Sequence, residues 1–269
     1  TARRAGPPQR PPPRGGGGAV CFIGGRGGGG RRMAAALPGK RRWKGKQMDG
    51  TGFSCLSCVG EACEFQTGGN PPQCVEGLVS EAIHEEVRER YREPENHRVM
   101  QAAALTSERC ANLTRVQETM EFAARMGARK IGIATCTMLL DESRTLRKLL
   151  ERAGFEVFGV ACKVEGNRRA DLGLTPAADG GEGPVLCNPV MQARLLEEEG
   201  TDLNIVMGLC VGHDTLFYRH SHAPTTTLVT KDHVTGHNAC AGLYASKSVY
   251  RRRLNETVDA CREGVIAQV

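Results

Sequence analysis

The chain has 269 residues, 40% hydrophobic, 4% aromatic and 25% charged, with a formal charge of +6. That length supports one sizeable α/β domain with a small appendage, and no apolar run approaches the roughly 18 residues of a membrane helix. Twelve cysteines in so long a chain fall below the roughly 8–10% of a short secreted disulfide scaffold, so thiols used for metal in a reducing, cytoplasmic setting are the expectation.

The charge is uneven. Residues 1–48 hold 12 of the 36 Lys and Arg and no acid, so the rest carries 24 bases against all 30 acids, a formal charge of −6. An acidic folded part without interleaved aromatics argues against a nucleic-acid binder. With 13 Gly, 6 Pro and no apolar period, residues 1–48 read as a disordered basic tail. An organelle transit peptide would also be Arg-rich and acid-poor, but this stretch is rich in Gly and has no Ser. The chain begins at Thr1, and Met33 and Met48 are candidate starts if the tail is an extension. Its one G-x-G-x-x-G run, Gly25 to Gly30, has no strand before it and no helix after it, and is set aside as low complexity.

Residues 49–76 form a cysteine cluster, with Cys55, Cys58, Cys63 and Cys74 at spacing C-x2-C-x4-C-x10-C. A C-x2-C turn lets two thiolates converge on one ion, and the Gly68-Gly69-Asn70-Pro71-Pro72 turn can fold the fourth back. Four thiolates suit zinc or an iron–sulfur cluster alike.

Residues 77–255 read as an α/β domain with a helical lead-in over 77–128, followed by a C-terminal tail, 256–269. Apolar spacing predicts helices over Asn96–Cys110 and from Leu113 to about Ala124. Thr114 with Gln117 makes a capping box, and Gly127 is a stop. His84 and His97 fall on charged, solvated faces. Lys130–Thr135 is a buried strand, followed by a helix over Asp141–Ala153 and a second strand over Glu156–Ala161. Asn188 with Pro189 opens a helix to about Glu199, and Asn204–Leu209 and Thr225–Thr230 are the third and fourth strands. This alternation predicts an α/β fold, a mostly parallel sheet with helices on both faces.

A second set of cysteines falls on this frame. Cys136, Cys162 and Cys210 follow the first, second and third strands, and Cys187 precedes the Asn188 cap. Parallel strands place their carboxyl ends on one edge, where α/β sheets bind ligands, so these thiols are expected there as metal ligands or working thiols, with at least three of them meeting at one point. Cys210, His213 and Asp214 are read into the turn after the third strand, with the carboxylate orienting the imidazole. Lys231, Asp232 and His237 follow the fourth strand. Cys210, His213, Asp214, Lys231 and His237 are the candidate catalytic groups, and Asn188 and Asn238 the candidate cofactor-binding groups. His220, His222 and His233 are weaker candidates, the first two in a loop read as exposed. A cysteine-hydrolase pairing of Cys210 with His213 has only sequence proximity behind it.

These residues resemble domain of unknown function family 1847, whose members are uncharacterised proteins predicted to bind metal through cysteines. The likeness runs from about Cys55 to Leu254. It rests on the first cysteine cluster, Lys130-Ile-Gly-Ile-Ala with Cys136, Cys162-Lys163, Cys187-Asn188-Pro189, Gly208-Leu-Cys-Val-Gly-His-Asp-Thr-Leu-Phe217 and Gly236-His-Asn238. The resemblance implies cysteine-bound metal and the fold above, and no reaction. The functional expectation is a metal-binding protein with a four-cysteine N-terminal centre and a second Cys/His site at the sheet edge. That second site would act on a small molecule or a redox partner. The alternative is a zinc-stabilised sensor or binding module without catalysis.

Overall fold

The computed structural model describes residues 54–58, 62–65, 69–177 and 179–266, and the predicted tail, 1–48, lies outside them. The chain divides into two compact units after Leu78. In the first, a short helix α1 (Ala62–Phe65) lies between one-turn 3-10 segments at Cys55–Ser57 and Val75–Leu78.

The second unit is an α/β layer structure. Three helices lead in: α2 (Glu81–Arg92), α3 (Pro94–Ser107) and α4 (Arg115–Arg125). The α4 start carries the expected capping box, with the Thr114 side chain accepting from Gln117 N while Gln117 reaches back to Thr114 N. Then come β1 (Lys130–Thr135), α5 (Leu140–Arg152), β2 (Glu156–Ala161), α6 (Pro189–Glu198), β3 (Leu203–Met207), α7 (His213–His220) and β4 (Thr225–Val229). Two further helices follow, α8 (Ala239–Tyr244) and α9 (Arg251–Arg262). Helix α9 runs across the boundary drawn from sequence at 255. Among the described residues no helix is long and apolar enough to cross a membrane.

All four strands of the sheet are parallel, in the order β2-β1-β3-β4. The chain starts at the centre, steps outward to β2 and returns past β1 to β3, so β1 and β3 flank the switch point where α/β sheets open a ligand crevice. Side chains alternate across the sheet. Ile131, Ile133, Leu203, Ile205 and Met207 pack with Ala123 of α4 and Leu146 and Leu150 of α5. Ala134, Val160 and Val206 pack on the other face with Ala193 and Leu196 of α6 and Phe217 of α7. The expected helices on both faces are present.

The segment from β3 to α7 differs from the sequence reading. Strand β3 ends at Met207 because Gly208 takes φ +68, a left-handed conformation that cannot continue a strand. Leu209 and Cys210 are therefore loop residues. His213 and Asp214 lie in the first turn of α7, not in a turn before it, and His220 closes that helix where a loop was expected.

Gly132 shows how tightly α6 rides on the sheet: a Cβ there would lie 2.1 Å from Asn204 Oδ1 and 3.0 Å from a Leu196 methyl. Asn204 cannot yield, since its Oδ1 accepts from Thr201 Oγ1 and its Nδ2 donates to Ser221 Oγ. Gly132→Ala is expected to cost about 2–3 kcal/mol through overpacking, measured as a lower urea midpoint at unchanged slope.

Candidate functional site

The sheet register builds the site. Thr135 pairs with Ala161 and with Met207, so Cys136, one residue on, lies beside Cys162 and beside the Gly208 turn. Backbone bonds hold this: Cys162 N donates to Thr135 O at 2.8 Å and Cys136 N to Met207 O at 3.0 Å. Both cysteines continue the alternation onto the α6 face, where they are buried (3% and 2% exposed) in one cluster with Leu209 and half-buried Cys187. Asn188 N donates to Cys162 O at 2.7 Å, which fastens the start of α6 to the end of β2.

Lys231, just past β4, reaches back over β3 to this corner. Its Nζ donates to Cys136 Sγ at 2.9 Å and to Cys210 Sγ at 3.3 Å. One ammonium thus lies between two sulfurs on the two sides of the switch point. Burial is the largest influence on Cys136 and pushes its thiol up, but Lys231, the Met138 N–H and Cys162 together outweigh it and leave the pKa below the ordinary cysteine value. Burial likewise opposes the charge of Lys231, yet bonds to Cys136 and Cys210 hold its pKa above the usual lysine value. Both shifts run in the direction that favours a thiolate beside an ammonium. Cys162 behaves oppositely: burial, then the charges of Cys187 and Cys136, push it up to about 11, so it stays a thiol. It donates weakly to Thr137 Oγ1 at 3.9 Å.

The other candidate groups separate on inspection. His213 sits at the start of α7 with its Nδ1 buried and without a hydrogen-bond partner. Burial first, then the positive charges of Lys163 and Lys231, hold its pKa below the ordinary imidazole value, so it is neutral near pH 7. Asp214 does not orient it, which corrects the sequence expectation. Its Oδ1 accepts from Gly212 N at 3.0 Å and Thr215 N at 2.7 Å, and successive residues on a helix do not face each other. Asn188 is occupied as a helix cap: Oδ1 accepts from Met191 N, and Nδ2 donates to Glu165 Oε2 at 2.6 Å. Asn238 is exposed at the start of α8. His237 has φ +67, and its Nδ1 accepts from Asp232 N at 3.1 Å. Together with Asp232 Oδ1, which accepts from Val234 N and Thr235 N, that bond closes the loop on itself. His233 lies edge-on to His237, and exposed His222 pairs with Glu197 of α6.

Sequence reasoning missed Gln192. Fully buried in α6, it donates from Nε2 to Thr135 O at 3.2 Å and Val160 O at 2.7 Å, tying together the ends of β1 and β2, and its Oε1 has no partner. The available signal was a polar residue in the apolar stripe of Pro189, Ala193 and Leu196.

The metal expectation was tested on the donors themselves. Among the described residues no three Cys, His, Asp or Glu side chains are gathered closely enough to hold an ion. A gathering of three thiols at one point is therefore found neither among Cys55, Cys58, Cys63 and Cys74 nor at the strand ends, where the Lys231 ammonium contacts both Cys136 and Cys210. Cys55, Cys58, Cys63 and Cys74 lie in the N-terminal unit. There Cys58 N donates to Cys55 O at 3.2 Å, which forms the C-x2-C turn, Cys63 lies in α1, and Cys74 N donates to Pro71 O at 2.8 Å. Cys55 and Cys63 are exposed. Thiols have no mutual attraction that gathers them without a metal, and the binding free energy of the ion assembles such segments. The donor chemistry of these four residues fits a thiolate-bound metal.

Away from the thiols, an apolar hollow of about 430 Å³ lies on the α4–α5 face, lined by Val116, Leu146, Leu149 and Leu228. Its lining holds no cysteine or histidine.

Residues 74–228 match the sequence model of a family described as protein of unknown function (DUF1847). An uncharacterized protein of Methanocaldococcus jannaschii is 40% identical over 175 residues, which make up 65% of this chain and 89% of that protein. The family match takes in Cys74, all four strand-end thiols and His213, and ends before Lys231.

A depressed thiol pKa means that the thiolate persists as pH falls. The thiolate absorbance of the native chain, minus that of Cys136→Ser, is expected to titrate below the ordinary cysteine value of about 8.5. In Lys231→Met, with the ammonium gone and burial unopposed, the same difference should move above it.

Proposed function

The chain belongs to the DUF1847 family, and we propose that it is a metal-binding protein with a separate working thiol site at the carboxyl edge of its sheet. The observation that carries this reading is the Lys231 ammonium bonded to both Cys136 and Cys210 at the β1–β3 switch point. An ammonium held between two sulfurs stabilises a thiolate, and the crevice at this edge is where α/β sheets receive small molecules. Neutral His213, its Nδ1 unpartnered, supplies a base or acceptor at the rim. Such a site suits redox chemistry or attack on a small electrophile.

The metal belongs to the first unit in this reading. Cys55, Cys58, Cys63 and Cys74 would hold zinc or an iron–sulfur cluster, which supplies cohesion to a segment with little core of its own. The chemistry at the sheet edge is assigned in this reading to the thiols themselves.

Elemental analysis for zinc, iron and labile sulfide, after anaerobic purification of the full chain and its variants, tests both halves. About one metal centre per chain is expected, lost in Cys58→Ser and kept in Cys136→Ser and Cys210→Ser. Loss in the strand-end variants with retention in Cys58→Ser would move the metal to the sheet edge and overturn the division of roles. Chelation should open residues 54–78 to protease and leave 79–266 resistant.

A further inference from the structure

We infer that Cys136 and Cys210 are a dithiol that reduces small, low-molecular-weight disulfides and closes to an internal disulfide across the β1–β3 crevice. This rests on the reading of the strand-end set as a working thiol site and adds to it a substrate class and a division of labour. Both sulfurs contact one nitrogen, at 2.9 and 3.3 Å, so their separation is at most the sum of those distances. The group between them is the end of a flexible lysine side chain, which can withdraw. Cys210 sits in a loop, with left-handed glycines at 208 and 212 and with Val211 89% exposed, a segment able to absorb the short approach that a disulfide requires.

Exposure assigns the order. Half-buried Cys210 meets an incoming disulfide R–S–S–R first, whereas Cys136 and Cys162 are buried. Cys210 gives up its proton and attacks one sulfur, the R–S–S–R bond breaks, and RS− leaves with the bonding pair. Cys136, held as a thiolate by Lys231, then attacks Cys210 Sγ. The Cys136–Cys210 bond forms, the mixed disulfide breaks, and the second RS− leaves. Two electrons pass from the protein to the substrate, and the two RS− take up the protons given up by Cys210 and by Lys231 or solvent. Loss of its anionic partner frees Lys231 for that last transfer. Cys162 is a poor resolving group, because it holds its proton at neutral pH and its weak bond runs to Thr137. Lys231 is a positioning residue, acting through Cys136.

The test uses the metal-loaded full chain, made anaerobically and treated with hydroxyethyl disulfide, with intact mass and peptide mapping as readouts. The native chain should lose two hydrogens with no lasting adduct, and mapping should join the Cys136 peptide to the Cys210 peptide. Cys136→Ser should hold one hydroxyethylthio group on Cys210, and Lys231→Met should resolve its mixed disulfide about tenfold more slowly or worse. Adduct formation on Cys210 should be far less affected by that substitution, a split that a merely structural lysine would not produce. A crosslink between Cys136 and Cys162, or a native adduct as long-lived as that of Cys136→Ser, would overturn the inference. If no crosslink forms while the Cys136 thiolate absorbance is intact, the inference fails and the thiol-site reading stands; if that absorbance is missing, the reading itself fails.

Discussion

The carboxyl edge of this protein is organised by one constraint, the position of β1 between β2 and β3 in parallel register. Parallel pairing places successive residues of neighbouring strands side by side. When Thr135 faces Ala161 and Met207, the next residues must bring Cys136 beside Cys162 and beside the Gly208 turn. Small residues make the pairing possible: Gly132 and Ala134 on the α6 face of β1 let that helix seat closely, and Gln192 locks the ends of β1 and β2 by donating to both. A slip of β1 by one residue would turn Cys136 to the α4–α5 face.

Electrostatics then differentiates thiols that the backbone places alike. Cys136 and Cys162 are equally buried, yet only Cys136 has the Lys231 ammonium, and so the one is drawn towards thiolate while the other keeps its proton. A charge in a buried place persists only when paired, and the pair here is completed by a residue from the far side of β3. The same ammonium occupies the place between the Cys136 and Cys210 sulfurs.

Much of the fold was legible in the sequence. Short buried strands alternating with helices, the Thr114 capping box and the Asn188-Pro189 helix start are local signals, and each stands where the residues place it. The convergence of Cys136, Cys162, Cys187 and the Gly208–Cys210 loop on one edge was also legible, since parallel strands share a direction. Strand order was not. The contact of Lys231 with Cys136 joins residues 95 positions apart and exists because β4 lies next to β3. Asp214 was misread as the partner of His213: an acid near a helix start serves backbone N–H groups first, and this one does. Gln192 was overlooked because a lone polar residue in an apolar stripe carries no motif.

The division of roles between the two thiol sets depends on which cation the strand-end sulfurs hold. An anaerobic crystal structure of the metal-containing chain, with anomalous data collected at the zinc and iron absorption edges, measures this directly. An anomalous peak is expected among Cys55, Cys58, Cys63 and Cys74, with Lys231 Nζ within hydrogen-bond reach of both Cys136 and Cys210 Sγ. A peak among Cys136, Cys162, Cys187 and Cys210, with Lys231 displaced from between the sulfurs, would contradict that division.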